Sequence, residues 1–223
     1  MVVETTPIQI PYSFVEYKGV FSEPIFATFV KKDWAVTRAI YSALQKWGLS
    51  LEQIVLRQNP ANVSEIQITF NLPRVGIVVH LSMGNVTIFM NSPDWSRAAE
   101  LVEVATATVE ATKMGAEANI QSQQLSLGMH LIPKGKTLKE LTSRFVVVDE
   151  KSVDFLGKVR GSGFSLYAEN ASVVVDVSGL NPEAFFVRIT RIHNGNTTVA
   201  QMAQLLERDE KQTFTFLGVH EDA

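Results

Sequence analysis

Four histidines are the residues best suited to metal chemistry in this sequence: His80, His130, His193 and His220. Neutral imidazole ligates zinc, copper, iron and nickel. His80, His130 and His193 fall in stretches that alternate polar and apolar residues, which places them on expected strands and makes them the candidate metal ligands. His220 sits in a polar tail. The H-x-x-x-H and H-E-x-x-H spacings of helical zinc sites are absent. Without them the plainer expectation is three partly exposed strand residues. Strand parity sets His80 and His130 opposite the main apolar stripes.

Other reaction chemistries find less support. There is no cysteine, hence no disulfide, thiolate nucleophile or Cys-ligated zinc, and this suits a reducing compartment. No serine lies in a G-x-S-x-G elbow. Gly161-Ser162-Gly163 follows Lys158-Val159-Arg160, and a glycine-rich loop beside basic residues can cradle phosphate. The full G-x-x-x-x-G-K-[ST] pattern is missing, so a strand connection is the simpler reading. Asp149-Glu150 and Glu207-Arg208-Asp209-Glu210-Lys211 read as solvated turn and helix-end charges. No motif calls for a cofactor.

Aromatic residues suggest binding instead of catalysis. Trp34, Trp47 and Trp95 all lie at helix positions in the first half. They are expected to pack helix on sheet, or to line an apolar cavity there. The polar side of the strands is a second surface. His80, Tyr167, Asp176 and Arg188 are its candidate contact residues for a ligand or partner, with Gln67, Thr69, Thr87, Ser165 and Thr190 around them.

These side chains need elements to hold them. An extended segment from Ile8 to Phe21 opens the chain, with Pro7 and Pro11 pointing to an edge or irregular start. The aromatics of the following stretch to Val30 are expected to pack under the core. Asp33 caps a helix carrying Val36, Ile40, Ala43, Leu44 and Trp47, and Gly48 ends it. Ser50 with Gln53 forms a capping box, although Ile54-Val55-Leu56 reads equally as a strand. Ile66 to Leu72, Ile77 to Met83 and Val86 to Met90 alternate with period two, joined at Gly84-Asn85 by a hairpin. Ser92-Pro93-Asp94 then starts a helix, with Ser92 as the cap and Pro93 at its first position, and Gly115 stops it.

The order recurs. Leu125 to Leu131 alternates as a strand, and Thr137 with Glu140 opens a short helix. Three further strands follow through Phe164, Val173 and Glu183 to His193. Thr198 with Gln201 starts the last helix, and Thr213 to Leu217 extends it or forms a strand.

In element order alone, two such units resemble the vicinal-oxygen-chelate superfamily, which includes glyoxalases. The resemblance implies metal ligands on the first and last strands of each module. His130 and His193 match those places in the second unit, and Glu16 is a counterpart on the opening strand. The last strand of the first unit offers only Thr87 and Asn91, so the ligand set is incomplete. The long helix from Asp94 to Met114 also departs from the pattern.

The expected fold is therefore α+β. An antiparallel sheet carries helices mainly on one face. A strand–helix–three-strand–helix unit is duplicated over residues 1–115 and 116–223 in one compact body. Hydrophobic residues make up 46% and charged residues 19% of the 223, the balance of an ordinary globular protein. A formal net charge of -3 disfavours nucleic acid and acidic membranes as partners. No apolar run approaches the roughly 20 residues that span a bilayer, and the opening residues lack a secretory pattern. The expectation is a cytoplasmic binding or assembly module without evident catalysis, taking a protein partner or a second copy of itself. The alternative is a small-molecule-binding protein or metal-dependent enzyme.

Overall fold

The computed structural model describes residues 5–29, 34–57, 65–115, 119–146 and 162–222. Within them the chain forms β1 (Thr6–Phe21), α1 (Phe26–Phe29), α2 (Ala35–Leu44), β2 (Ile54–Arg57), β3 (Gln67–Leu72), β4 (Ile77–Ser82), β5 (Asn85–Asn91) and α3 (Ala98–Gly115). There follow β6 (Ile120–Pro133), α4 (Leu138–Thr142), β7 (Phe164–Tyr167), β8 (Ala171–Val177), β9 (Phe185–Asn194), α5 (Val199–Leu217) and β10 (Val219–Glu221). The fold is α+β with one large sheet. Its hydrogen-bonded order is β2-β3-β4-β5-β1-β6-β9-β8-β7, with β10 added to β1. The β10–β1 pairing is parallel, and the ladders linking β2 to β5, β5 to β1, and β7 to β9 are antiparallel.

The chain gathers into two compact units, each discontinuous in sequence. One comprises Phe14–Leu125 and Ile192–Gln204. The other comprises Met1–Ser13, Ser126–Arg191 and Leu205–Ala223.

In the first of these, alternation translates directly into burial. β4 and β5 each bury every second residue, and Ile77, Val79, Leu81, Val86 and Ile88 are all within 1% of full burial. Ile68, Phe70 and Leu72 continue that stripe on β3. Val36, Ile40 and Leu44 of α2 are fully buried, as expected from their spacing. Gly48 closes the turn after α2 at φ 88°, a left-handed geometry that glycine adopts without strain. Ser50 and Gln53 do form a capping box, on a single 3-10 turn that runs directly into β2, so both readings of that stretch are realised.

Two expectations about starts need correcting. Asp94, not Ser92, caps the helical segment, its carboxylate accepting from the Ser96 amide at 3.1 Å and the Ser96 hydroxyl at 2.6 Å. Ser92 has φ 44°, which turns the chain before the helix and leaves Pro93 outside it. Phe21 is buried, whereas Phe26 is 52% exposed, so the aromatics after β1 do not all enter the core. The expected Asp33 cap lies outside the described residues.

In the second unit, Pro7 does not mark an edge. It pairs in parallel register with His220, Thr6 N–H donates to Gly218 O, and Asp222 N–H donates to Ile8 O. The Pro7 carbonyl accepts from Lys134 just past the end of β6, where the missing proline N–H costs little. β6 buries both parities: Leu127, Met129 and Leu131 on one, Ser126 and His130 on the other. Thr137 and Glu140 form the second capping box as expected. Thr213 to Leu217 belongs to α5. Arg191 holds Asp209 of α5 through two bonds of 2.6 and 2.9 Å, a fork geometry that fixes β9 against the helix.

Candidate functional site

The half-buried side of the sheet in the unit containing β2–β5 is the first candidate. Cross-strand register decides which side chains share it. Lys18 faces Thr87, Glu16 faces Phe89 and Phe14 faces Asn91. His80 then faces both Thr87 and Thr69, and Val78 faces Phe89 and Asn71. Arg57 faces Gln67 at the end of the row. The Phe14 and Phe89 rings stack at 5.5 Å and 28°. His80 Nδ1 lies 3.0 Å from Thr69 Oγ1. Burial, and secondarily the Arg57 charge, holds the His80 imidazole below the ordinary histidine range, so the neutral form is favoured. The surface thus mixes an aromatic pair, both charge signs and several amide and hydroxyl groups.

The second unit places three of the four surface candidates on one side of β7–β9. Tyr167 faces Ser172, Asp176 faces Phe186, and Val174 faces Arg188, so Tyr167, Asp176 and Arg188 share a parity. Tyr167 is 79% exposed. Asp176 Oδ1 accepts from the Val177 amide at 2.7 Å. His80, the fourth, belongs to the other unit.

His130 is not a surface residue. It is 8% exposed, because Tyr12 meets its ring edge-on at 5.3 Å and Phe186 covers it at 5.2 Å. Its Nδ1 lies 2.7 Å from Ser178 Oγ. That oxygen also accepts the Leu180 and Asn181 amides at 3.1 and 3.0 Å. Burial lowers the His130 pKa. Ser178 was not singled out in the sequence, although a serine just before Gly179-Leu180-Asn181-Pro182 is the usual local signal for a side chain closing a turn.

The three histidines are not assembled into a metal centre. Among the described residues, no three His, Asp or Glu side chains gather in a way that could hold a metal ion. Each has a different setting. His80 is bonded to Thr69, His130 to Ser178, and His193 falls along β9 with buried Val187 and Ile189, the parity opposite Phe186. Trp47 is buried, Trp34 is half-buried at the start of α2, and Trp95 is 53% exposed, so the tryptophans do not line one cavity wall. The Gly161 loop with Lys158 and Arg160, and the Asp149-Glu150 pair, lie outside the described residues. No described helix is long and apolar enough to cross a membrane.

No family model and no curated protein matches this chain. Among solved structures it is similar to a rolling circle replication initiator protein from Geobacillus stearothermophilus, with 13% identity and a TM-score of 0.33 over 91% of this chain and 80% of that one. At that score the likeness leaves fold and function to be read from this chain's own residues.

Proposed function

We propose that this protein is a non-catalytic binding module whose working surface is the outward side of β1 to β5, and that the occupant is a folded protein partner. The observation that carries the reading is the composition of that side. A stacked aromatic pair, Phe14 and Phe89, sits among Lys18, Glu16, Arg57, His80 and Asn71 while the opposite parity is buried apolar core. Aromatic and arginine side chains with mixed polar neighbours suit a protein interface. Glu16 within the patch and the net charge of -3 disfavour a polyanion, so neither nucleic acid nor an acidic membrane is the partner in this reading. The cytoplasm suits a chain without cysteine.

The same reading takes residues 1–115 and 116–223 as copies of one unit. Its support is the recurring order of strand, helix, antiparallel strands and helix. β2 and α1 have no described counterpart in the second half.

Photo-crosslinking tests the surface. A photoreactive residue at Thr87 or Val78 is expected to trap one defined protein, identified by mass spectrometry, or a second copy of this chain. The same group at Glu103, exposed on α3, is expected to trap neither. Equal adducts from both positions, or none from Thr87 and Val78, would remove the proposal.

A further inference from the structure

A cavity of about 200 Å³ opens between the start of β1, α4 and the end of α5, all within the second compact unit. Thr6, Lys136, Glu140, Leu141, Arg144, Leu217 and Gly218 form its wall, all of them from that unit. Its shape follows from local rules. Thr137 and Glu140 cap each other, fixing Glu140 by bonds of 2.6 and 2.9 Å from the Thr137 amide and hydroxyl to Oε2. α5 ends at Leu217, and Gly218 turns the chain at φ 64° so that Thr6 N–H can reach the Gly218 carbonyl at 2.9 Å. Arg144 donates from Nη2 to the Phe216 carbonyl and spans the mouth of that turn. A Cβ on Gly218 would stand 3.2 Å from both Arg144 Nη1 and Nη2, so the missing side chain leaves the guanidinium room to seat.

Three features give the cavity a chemical bias. Two cationic side chains, Lys136 and Arg144, line it against one carboxylate, Glu140, whose Oε2 is committed to the cap. Arg144 uses Nη2 on Phe216 and keeps further N–H donors for another acceptor. The Thr6 hydroxyl is buried without a hydrogen-bond partner among the described residues, and such a group gives up its hydration with no return. Leu141 and Leu217, both nearly buried, supply an apolar side for a short carbon skeleton.

We infer that this cavity binds a small organic anion, a carboxylate or phosphate ester of a few carbons, with Lys136 and Arg144 pairing its charge and Leu141 and Leu217 packing its body. The volume sets the size class: drug-sized sites run to roughly 300–1,000 Å³, so this one takes a smaller molecule. Arg144 gives fork geometry suited to either anion, and Lys136 adds an orientable point charge. This site is independent of the sheet surface proposed above.

The test is calorimetric titration of the purified protein with inorganic phosphate and, separately, with citrate, each against chloride at matched ionic strength. Amide chemical shifts are followed in parallel. The expected result is saturable binding of at least one of the two, with the largest shifts at Thr6, Leu141 and Gly218. Lys136→Gln is expected to weaken it about tenfold with the melting temperature of the free protein unchanged, because Lys136 closes no structural bond among the described residues. The tighter of the two probes identifies the head group. Absence of saturation for both, shifts centred on Lys18 and Arg57 instead, or full affinity in Lys136→Gln would each overturn the inference.

Discussion

The Ser178 hydroxyl has its bonding fully allocated, and this decides the state of its neighbour. A serine oxygen has two lone pairs and one proton. The Leu180 and Asn181 amides occupy the lone pairs, so the proton must point to His130 Nδ1. His130 is then neutral with its proton on Nε2. Protonation would aim a third donor at an oxygen with no remaining acceptor capacity, in line with the lowered pKa. A histidine whose folded pKa lies below the unfolded value contributes full stability above about pH 6.5. That contribution is lost as the pH falls from there towards the folded value. Glu210 works the other way. Burial, with Glu221 and Glu207 adding like charge, pushes its carboxyl up to about 7. The folded state holds that proton more tightly, so stability declines as the pH rises from about 4.5 to 7 and stays lower above. Denaturant titrations across pH 4.5 to 8 should separate the two. Glu210→Gln should raise stability at pH 8, by on the order of 1–2 kcal/mol after solvent screening, and unmask the acid-side loss. His130→Asn should abolish that loss. A profile unchanged by either substitution would contradict both assignments.

Between elements, two contacts carry structural predictions. Tyr17 on β1 donates to Gln123 Oε1 on β6 at 2.9 Å, and Gln123 Nε2 donates to the Asn194 and Thr197 carbonyls at 2.9 and 2.8 Å. Burial first, with Glu110 second, raises the Tyr17 phenol well above its ordinary range, so it stays a donor. Tyr17→Phe strands a buried amide oxygen and should cost about 1–3 kcal/mol in urea denaturation. A loss well below that would mean Gln123 finds another donor. Gly115 ends α3 where a Cβ would lie 2.5 Å from Val36 Cα and 2.9 Å from Val36 N. Alanine favours helix by up to about 1 kcal/mol, yet the clash is with backbone and cannot relax by a rotamer change. Gly115→Ala should therefore destabilise by about 1–3 kcal/mol, while Gly84→Ala, with nothing within 4 Å, should be near neutral. Thermal melts of the two variants provide the comparison. At this scale local signals were legible. The boxes at Ser50–Gln53 and Thr137–Glu140 join residues three positions apart and form as read. Ser92 misled because Asp94 offers a carboxylate to the Ser96 amide, and backbone φ at Ser92 has no sequence signature.

For the whole chain, period-two alternation in β4 and β5 announced a one-sided core, and the burial of those strands follows it, whereas β3 also buries Thr69 on its polar parity. The α+β class and the antiparallel hairpins followed from the same signal. Long-range pairing was not legible. His130 looked half-exposed by parity, and Tyr12 and Phe186, 118 and 56 positions away in the numbering, cover it. The same limit applies to the compact units. Each draws segments from both halves of the chain, and no composition shift marks those boundaries. The cavity at Thr6, Lys136 and Arg144 escaped for the same reason, since its wall joins three segments far apart in sequence.

The most direct test concerns the protein trapped at Thr87 and Val78. Its affinity should be measured by calorimetry for the unaltered chain, for Phe89→Ser and for Glu103→Ala, with melting curves confirming that each variant is folded. Truncating a central aromatic contact typically costs 2 kcal/mol or more at an interface, roughly thirtyfold in Kd. At least a tenfold loss is expected for Phe89→Ser and no change for Glu103→Ala. Undiminished affinity in a folded Phe89→Ser variant would contradict it.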